Sequence, residues 1–263
     1  LAPAMISNLF DLGYESMTPI QAESLPHVLA KKDVIAQAKT GSGKTAAFGI
    51  GILTQLNPRH FGTQALVLCP TRELADQVAK ELRRLARAQN NIKILTLCGG
   101  VDMGPQLSSL EHGAHIVVGT PGRILKHLGK RKLDLSTLEV LVLDEADRML
   151  DMGFHDSMVE IIQYTPDTRQ TLLFSATYSK DIRTLSKQFQ KEPIEVTVES
   201  VHSAVHIEQH FYEIANKDRV QALKQLLLHF QPSSCVLFCN TKQRCEEVKN
   251  ELAADGFNVL ALH

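Results

Sequence analysis

The sequence predicts an α/β protein, a parallel sheet with helices on both faces, on three observations. Short β-branched runs alternate with helix-length amphipathic segments along most of the chain. The runs are apolar nearly throughout, as in strands buried on both faces, whereas strands with one wet face alternate apolar and polar residues. The residues suited to chemistry fall directly after those runs, at the strand ends where open parallel sheets bind ligands.

Taken in order, the first strand is expected over 33–38, around Val34-Ile35-Ala36, and leads through a glycine loop into a helix over 46–56. A strand over 65–69 precedes a helix over 73–88, and strands over 93–97 and 115–119 precede a helix over 122–128. Val140-Leu141-Val142-Leu143 forms the fifth strand, followed by a helix over 155–164. A strand over 171–175, a helix over 180–190 and a strand over 194–198 complete this alternation. The polar stretch 199–206 reads as a linker between a first domain, 1–198, and the beginning of a second, 207–263. In the second the pattern restarts, with strands over 208–214, 235–239 and 258–262 and helices over 218–230 and 242–255.

Composition narrows the function classes. Hydrophobic residues make up 44% of the 263, enough for a core, and no apolar run reaches the ~18 residues of a membrane span. No charged n-region followed by an apolar h-region marks a secretory leader, so a cytoplasmic protein is expected. A net charge of −1 excludes coating nucleic acid by bulk charge. Any RNA contact must come from local loops and helix ends. Cys69, Cys98, Cys235, Cys239 and Cys245 form no zinc-type pairs and are read as reduced, apolar thiols. The 11 histidines are scattered, and no metal site built from side chains alone is expected.

The most specific run is Ala38-Lys39-Thr40-Gly41-Ser42-Gly43-Lys44-Thr45, set between a strand and a helix. In that context it is a phosphate loop. Gly41 and Gly43 let the backbone wrap phosphate oxygens, and the loop N–H groups and the helix N-terminus face them with partial positive charge. Lys44 supplies an ammonium to the terminal phosphates, and Thr45 a hydroxyl to Mg²⁺. About a hundred residues on, Asp144-Glu145-Ala146-Asp147 follows a buried strand. Asp144 suits a Mg²⁺ ligand acting partly through water, and Glu145 suits orienting or deprotonating an attacking water. Alone, such an acidic tetrapeptide would be a solvated helix start.

The whole set of motifs resembles the DEAD-box ATP-dependent RNA helicases of superfamily 2. Asp144-Glu145-Ala146-Asp147 is the family's name motif. Tyr14 and Thr18-Pro19-Ile20-Gln21 match its adenine-reading element, in which Gln21 offers adenine one donor and one acceptor. Pro70-Thr71-Arg72-Glu73-Leu74-Ala75, Gly99-Gly100 and Thr120-Pro121-Gly122-Arg123 match its RNA-backbone motifs. Ser175-Ala176-Thr177 matches the element that, with Asp147, couples hydrolysis to strand separation. Several other stretches, such as 63–69, 93–100 and 231–235, look like the bacterial DbpA type, which is associated with ribosomal RNA remodelling during large-subunit assembly.

The resemblance implies RecA-like domains, ATP and Mg²⁺ as cofactors, RNA as partner, no membrane and a monomer. It implies local unwinding of short duplexes as two domains close on ATP and single-stranded RNA. Two departures stand out. The family's upstream adenine-stacking aromatic would lie ahead of Leu1, and the second-domain motifs with their arginine fingers would lie beyond His263. Residues 1–263 alone are therefore expected to bind nucleotide weakly, with little RNA-stimulated turnover. Two other readings remain open: a different superfamily 2 nucleic-acid ATPase, and a non-catalytic RNA- or partner-binding fragment. Singly, Arg72 and Arg123 would be surface ion-pair residues and Thr71 a helix cap. Met149, Met152 and Phe154 read as packing, Arg83-Arg84 and Arg87 as a solvated face that could extend an RNA surface, and Lys130-Arg131-Lys132 as a basic loop.

Overall fold

Four-residue apolar runs have room for two residues on each face of a sheet, and every strand of the first part of this chain except the last, at the sheet edge, uses both faces. The structure, a computed structural model, describes residues 1–39, 41–198, 208, 210–214 and 219–262. It divides into two compact units, Leu1–Val201 and His202–His263. In the first, all seven expected strands form: β1 Val34–Gln37, β2 Ala65–Leu68, β3 Ile94–Leu97, β4 Ile116–Gly119, β5 Val140–Leu143, β6 Gln170–Ser175 and β7 Ile194–Thr197. They make one sheet in the order β3-β4-β2-β5-β6-β1-β7, with every pairing parallel.

Alternate residues of β1 to β6 feed two separate cores, and the edge strand β7 feeds only the first of them. Val34 and Ala36 of β1, Ala65 and Val67 of β2, and Leu172 and Phe174 of β6 face a core completed by helices α1 Pro3–Asp11, α2 Pro19–Leu29, α3 Lys44–Gln55 and α4 Arg72–Leu85. Ile35, Leu66, Leu68, Leu141, Leu143 and Leu173 face the other core, beneath α6 Pro121–Gly129, α7 Ala146–Asp151, α8 His155–Ile162 and α9 Lys180–Phe189. The short helix α5 Gly104–Glu111 follows β3. A 3₁₀ turn, Ala86–Ala88, continues α4.

Five of these helices fall where the alternation puts them, within a residue or two at most ends. Helices α1, α2, α5 and α7 were not anticipated. Met149 is fully buried and Phe154 packs against the second core, as expected for packing residues, but Met152 is exposed.

The strand ends fall at two levels. Leu68 of β2 is in register with Gly119 of β4 and Leu143 of β5, and Leu97 of β3 with Gly119. Gln37 of β1 lies opposite Ser175 of β6. Leu143 is in register with Leu173, and Leu173 with Ile35, so β1 and β6 reach two residues beyond β2 to β5 at the carboxyl edge.

The second unit has helices α10 Arg219–Phe230 and α11 Lys242–Ala254 and its own small core around Val220, Val248 and Leu252. Its three expected strands are not found among the described residues: 235–239 and 258–262 are unpaired, as are 208 and 210–214. Apolar patterning marks a segment as strand-like, but a strand exists only by hydrogen bonding to a neighbour. Here Val236, Phe238, Leu260 and Leu262 stay exposed. The expected linker, 199–206, lies outside the described residues. All five cysteines are free, Cys69 and Cys98 buried as anticipated, Cys235 exposed. No helix among the described residues is long and apolar enough to cross a membrane.

Candidate functional site

The phosphate-loop sequence folds as its glycines require. Gly41 and Gly43 adopt φ of +81° and +95°, a region L side chains enter only with strain, and Gly43 caps the N-terminus of α3. A Cβ on Gly43 would come within 2.6 Å of the Gln21 amide nitrogen and 2.9 Å of the Thr18 hydroxyl. Only glycine lets these two elements meet. Ala38 is fixed by its N–H, which donates to Ser175 O at 2.9 Å, so the loop springs from the β1–β6 seam. Thr45 is half-buried in the first turn of α3. Thr40 lies outside the described residues.

Strand β6 separates β1 from β5, which places their tips ~10 Å apart. The Lys44 side chain bridges that gap: its Nζ lies 3.6 Å from Asp144 Oδ1, with both side chains more than nine-tenths buried. This is an ion pair, longer than a hydrogen bond, and Lys44 Nζ has no hydrogen-bond partner among the described residues. The buried hydroxyls of Thr18, Ser42 and Ser175 are orphaned in the same way. Burying such groups without partners is costly, so their convergence marks a place built for a polar ligand.

Burial pushes the Asp144 carboxyl above its ordinary pKa, the Lys44 ammonium opposes this, and the neighbouring Glu145 carboxylate adds to the rise. Burial, with Asp144 adding to it, also raises the Cys69 thiol well up, so Cys69 behaves as a neutral apolar residue. Glu145 sits at the N-cap of α7 with φ 52° and ψ 52°, left-handed for a non-glycine residue. That conformation costs roughly 1–2 kcal/mol and is held by its surroundings. The Glu145 N–H donates to Asp144 Oδ1 at 3.1 Å, and Arg148 Nη1 donates to Glu145 Oε2 at 3.4 Å.

Asp147 and Thr177, assigned by sequence to one coupling element, do meet: the Thr177 N–H donates to Asp147 Oδ2 at 3.0 Å. Gln21 also sits at the loop, but its amide is engaged within the protein. Its Oε1 accepts from the Thr18 N–H at 2.9 Å and its Nε2 donates to Gly43 O at 3.1 Å. One amide hydrogen and one carbonyl lone pair remain for a ligand. A cavity of about 300 Å³ beside it is lined by Tyr14, Met17, Gln21, Leu25 and Ile50 among others. The Tyr14 hydroxyl donates to Glu81 Oε1 at 2.5 Å, and burial with this bond raises its pKa.

The sequence-assigned RNA residues occupy the other half of the same edge. Pro70, Thr71 and Arg72 follow β2, Gly99 and Gly100 follow β3, and Thr120, Pro121, Gly122 and Arg123 follow β4. Because β3, β4 and β2 are neighbours, as are β5, β6 and β1, the two sets divide the carboxyl edge between them.

The structural roles of these residues taken singly are also present. Thr71 Oγ1 accepts from the Leu74 N–H at 3.3 Å as a helix cap, and Arg72 lies 3.8 Å from Asp76. The Arg123 guanidinium donates to Gln106 Oε1 at 3.0 Å and to Val101 O at 2.8 Å. Gln106 Oε1 also lies 2.9 Å from His127 Nε2, and Gln106 Nε2 donates to Cys98 O at 3.1 Å. One buried amide thus ties the Gly99-Gly100 turn to the start of α6. Neither Gln106 nor His127 was singled out from sequence, since contacts among residues 98, 106, 123 and 127 leave no periodic trace.

A family model described as DEAD/DEAH box helicase matches residues 18–185. The chain belongs to the DEAD/DEAH box helicase family. It is 56% identical over 263 residues to the ATP-dependent RNA helicase DbpA of Escherichia coli K12, a match covering all of this chain and 58% of DbpA. It is 39% identical over 264 residues to the DEAD-box ATP-dependent RNA helicase CshA of Bacillus cereus ATCC 10987, covering all of this chain and 50% of that protein. Its structure resembles a crystal structure of a DEAD box protein from the hyperthermophile Methanococcus jannaschii, with a TM-score of 0.73 and 36% identity, covering all of this chain and 71% of that one. The chain thus spans just over half the length of DbpA. Its sheet is of the RecA-like kind, and it is a DbpA-like member of the family.

Proposed function

We propose that this protein is part of an ATP-dependent RNA helicase that hydrolyses ATP with Mg²⁺ and locally unwinds short RNA duplexes. One observation carries the reading: Lys44 and Asp144 meet at 3.6 Å over the tip of β6, amid polar groups with no partner of their own. That donor set fits a magnesium–triphosphate: a buried ammonium and open loop amides for phosphate oxygens, with oxygen ligands for a hard cation.

Lys44 and the amides of 41–45 bind the β- and γ-phosphates, and Thr18, Tyr14 and Gln21 hold the adenine side. Thr45 and Asp144 would hold Mg²⁺, which when bound neutralises charge developing on the phosphates. Glu145, pinned by its left-handed backbone and by Arg148, orients the attacking water and takes its proton. Asp147, through the Thr177 N–H, links that site to domain closure together with Ser175. The β2, β3 and β4 loops hold RNA by its backbone, which positions the strand and carries no sequence information.

The domain assignment that goes with this reading is a first RecA-like domain over 1–198, a linker over 199–206 and part of a second such domain over 207–263. The 56% identity to DbpA supports ribosomal RNA, during large-subunit assembly, as the substrate of a cytoplasmic, monomeric enzyme. Two measurements test the proposal. In a chain extended through the second domain, ATPase activity should rise with RNA and not with DNA, and Glu145→Gln should keep ATP and RNA binding but lose turnover. Unchanged steady-state hydrolysis in that variant, or equal stimulation by DNA, would refute it. Residues 1–263 alone should bind nucleotide weakly and show little RNA-stimulated turnover, and robust turnover there would contradict the need for second-domain groups.

A further inference from the structure

Arg72, Asp76, Lys80, Arg83 and Arg87 stand at helical spacing on the exposed face of α4 and its 3₁₀ extension. Asp76 pairs with Arg72, and beyond it the stripe carries only cations. The stripe ends at a cavity of about 450 Å³ near the amino end of β3, lined by Phe61, Arg83, Arg87, Asn91 and Lys93 among others, with no carboxylate in its wall.

Two of its cations are held in place. Arg83 donates to Ile94 O at 3.1 Å and Lys93 to Ser109 O at 2.6 Å, and each keeps further hydrogens free to donate. Arg87 has no hydrogen-bond or ion-pair partner among the described residues. Phe61 packs on His115, ring centroids 4.8 Å apart, yet remains 45% exposed.

Cations at the end of a helix complement its dipole, which accounts for the arginines of α4. It does not account for Lys93 or Phe61, which reach the same cavity from other parts of the chain. A fixed, exposed aromatic ring among cations, without an acid, matches single-stranded nucleic acid: bases stack on the ring and phosphates meet the cations.

We propose that this stripe and cavity form a second contact for single-stranded RNA, which starts from the Thr71–Arg72 end of α4 at the carboxyl edge of the sheet and ends at the opposite edge, beside the start of β3. The proposal rests on the RNA reading above and extends its footprint. From Arg72 to Arg87 the stripe runs ~22 Å at ~1.5 Å per residue. That is roughly six nucleotides at the ~3.4 Å spacing of a stacked strand. Because every base has a π-face, the contact tolerates any sequence.

The test compares fluorescent oligoribonucleotides of about six and about fourteen nucleotides, lengths set by that ~3.4 Å spacing, across a salt series with the 263-residue protein. The longer one should bind more tightly, with a log–log salt slope steeper by about 3, from Lys80, Arg83, Arg87 and Lys93 at ~0.7 each. Phe61→Ala should weaken the longer one about five- to hundred-fold, and Arg87→Gln should lower its slope by about 0.7, both leaving the shorter one unchanged. Arg87→Gln alters an exposed side chain, so its result stands even if Phe61→Ala disturbs the fold.

Unchanged binding of the longer oligonucleotide in both variants would overturn the proposal. So would its displacement by poly-glutamate of equal charge irrespective of Phe61, which would mark an acidic protein as the occupant. If neither length binds the unaltered protein, the underlying RNA reading fails, and this proposal with it.

Discussion

Gly43→Ala tests the adenine side and the phosphate cradle together. An alanine there must hold φ near +95°, at a cost of about 1–2 kcal/mol. Its Cβ would stand 2.6 Å from Gln21 Nε2, and the flexible amide can swing away only by giving up its bond to Gly43 O, worth about 1 kcal/mol. Together these make the binding-competent loop about 2–3 kcal/mol harder to populate, so the apparent nucleotide Kd should rise about 30- to 150-fold. In a Gln21→Ala background the amide clash and the bond are both gone, and Gly43→Ala should cost only the backbone strain and the 2.9 Å approach to the Thr18 hydroxyl. Titration calorimetry of all four proteins with ATP and Mg²⁺ reads the coupling directly, with an expected non-additivity of about 1 kcal/mol. Equal fold-losses in both backgrounds would refute the contact, and no loss in either would refute the cradle.

Lys44→Ala should abolish measurable nucleotide affinity while leaving the far-ultraviolet circular dichroism unchanged; undiminished binding would remove Lys44 from the site. Gln106→Leu removes one of the two bonds that hold the Arg123 guanidinium, and the side-chain donor to Cys98 O, so RNA affinity should fall about ten-fold at constant nucleotide affinity, read by anisotropy and calorimetry on one preparation. His127 should give the fold an acid-sensitive element. Burial, then Arg123 and Lys130, lowers its pKa below the ordinary 6.5, so the unfolded chain binds the extra proton first. Stability is then complete above about pH 6.5 and lost as pH falls, by up to ~1.4 kcal/mol per unit. Thermal melts between pH 7.5 and 5 should show a steeper decline in the unaltered protein than in His127→Gln, and parallel curves would discount it.

The sheet was legible because burial on both faces writes itself into sequence as short, mostly apolar runs; all seven expected strands of the first unit form, including the edge strand β7, which alternates apolar and polar residues. Helix α2 was hidden by Pro26 inside it, although Thr18-Pro19 and Gln21 are a helix-start signature. Helix α5 begins on Gly104-Pro105, and α7 is only six residues long, too short to show a period. The second unit's strands were misjudged because patterning is local while pairing is not.

At the site, the residues at strand tips were readable because a motif on a parallel strand has only one edge to face. What could not be read was how their hydrogen bonds are spent. Gln21 was expected to turn its amide to adenine; in the structure that amide joins Thr18 to Gly43 of the glycine loop. Arg123 was expected to hold phosphate, and it first buckles two loops together.

The Asp144 N–H hangs from Leu68 O at 2.9 Å, on the strand whose next turn is Pro70-Thr71. The acidic tip and the loop after β2 are therefore adjacent lanes of one ladder, joined by that bond between strands about 4.8 Å apart. A shift of either backbone at this point strains the other directly, with no side chain between them.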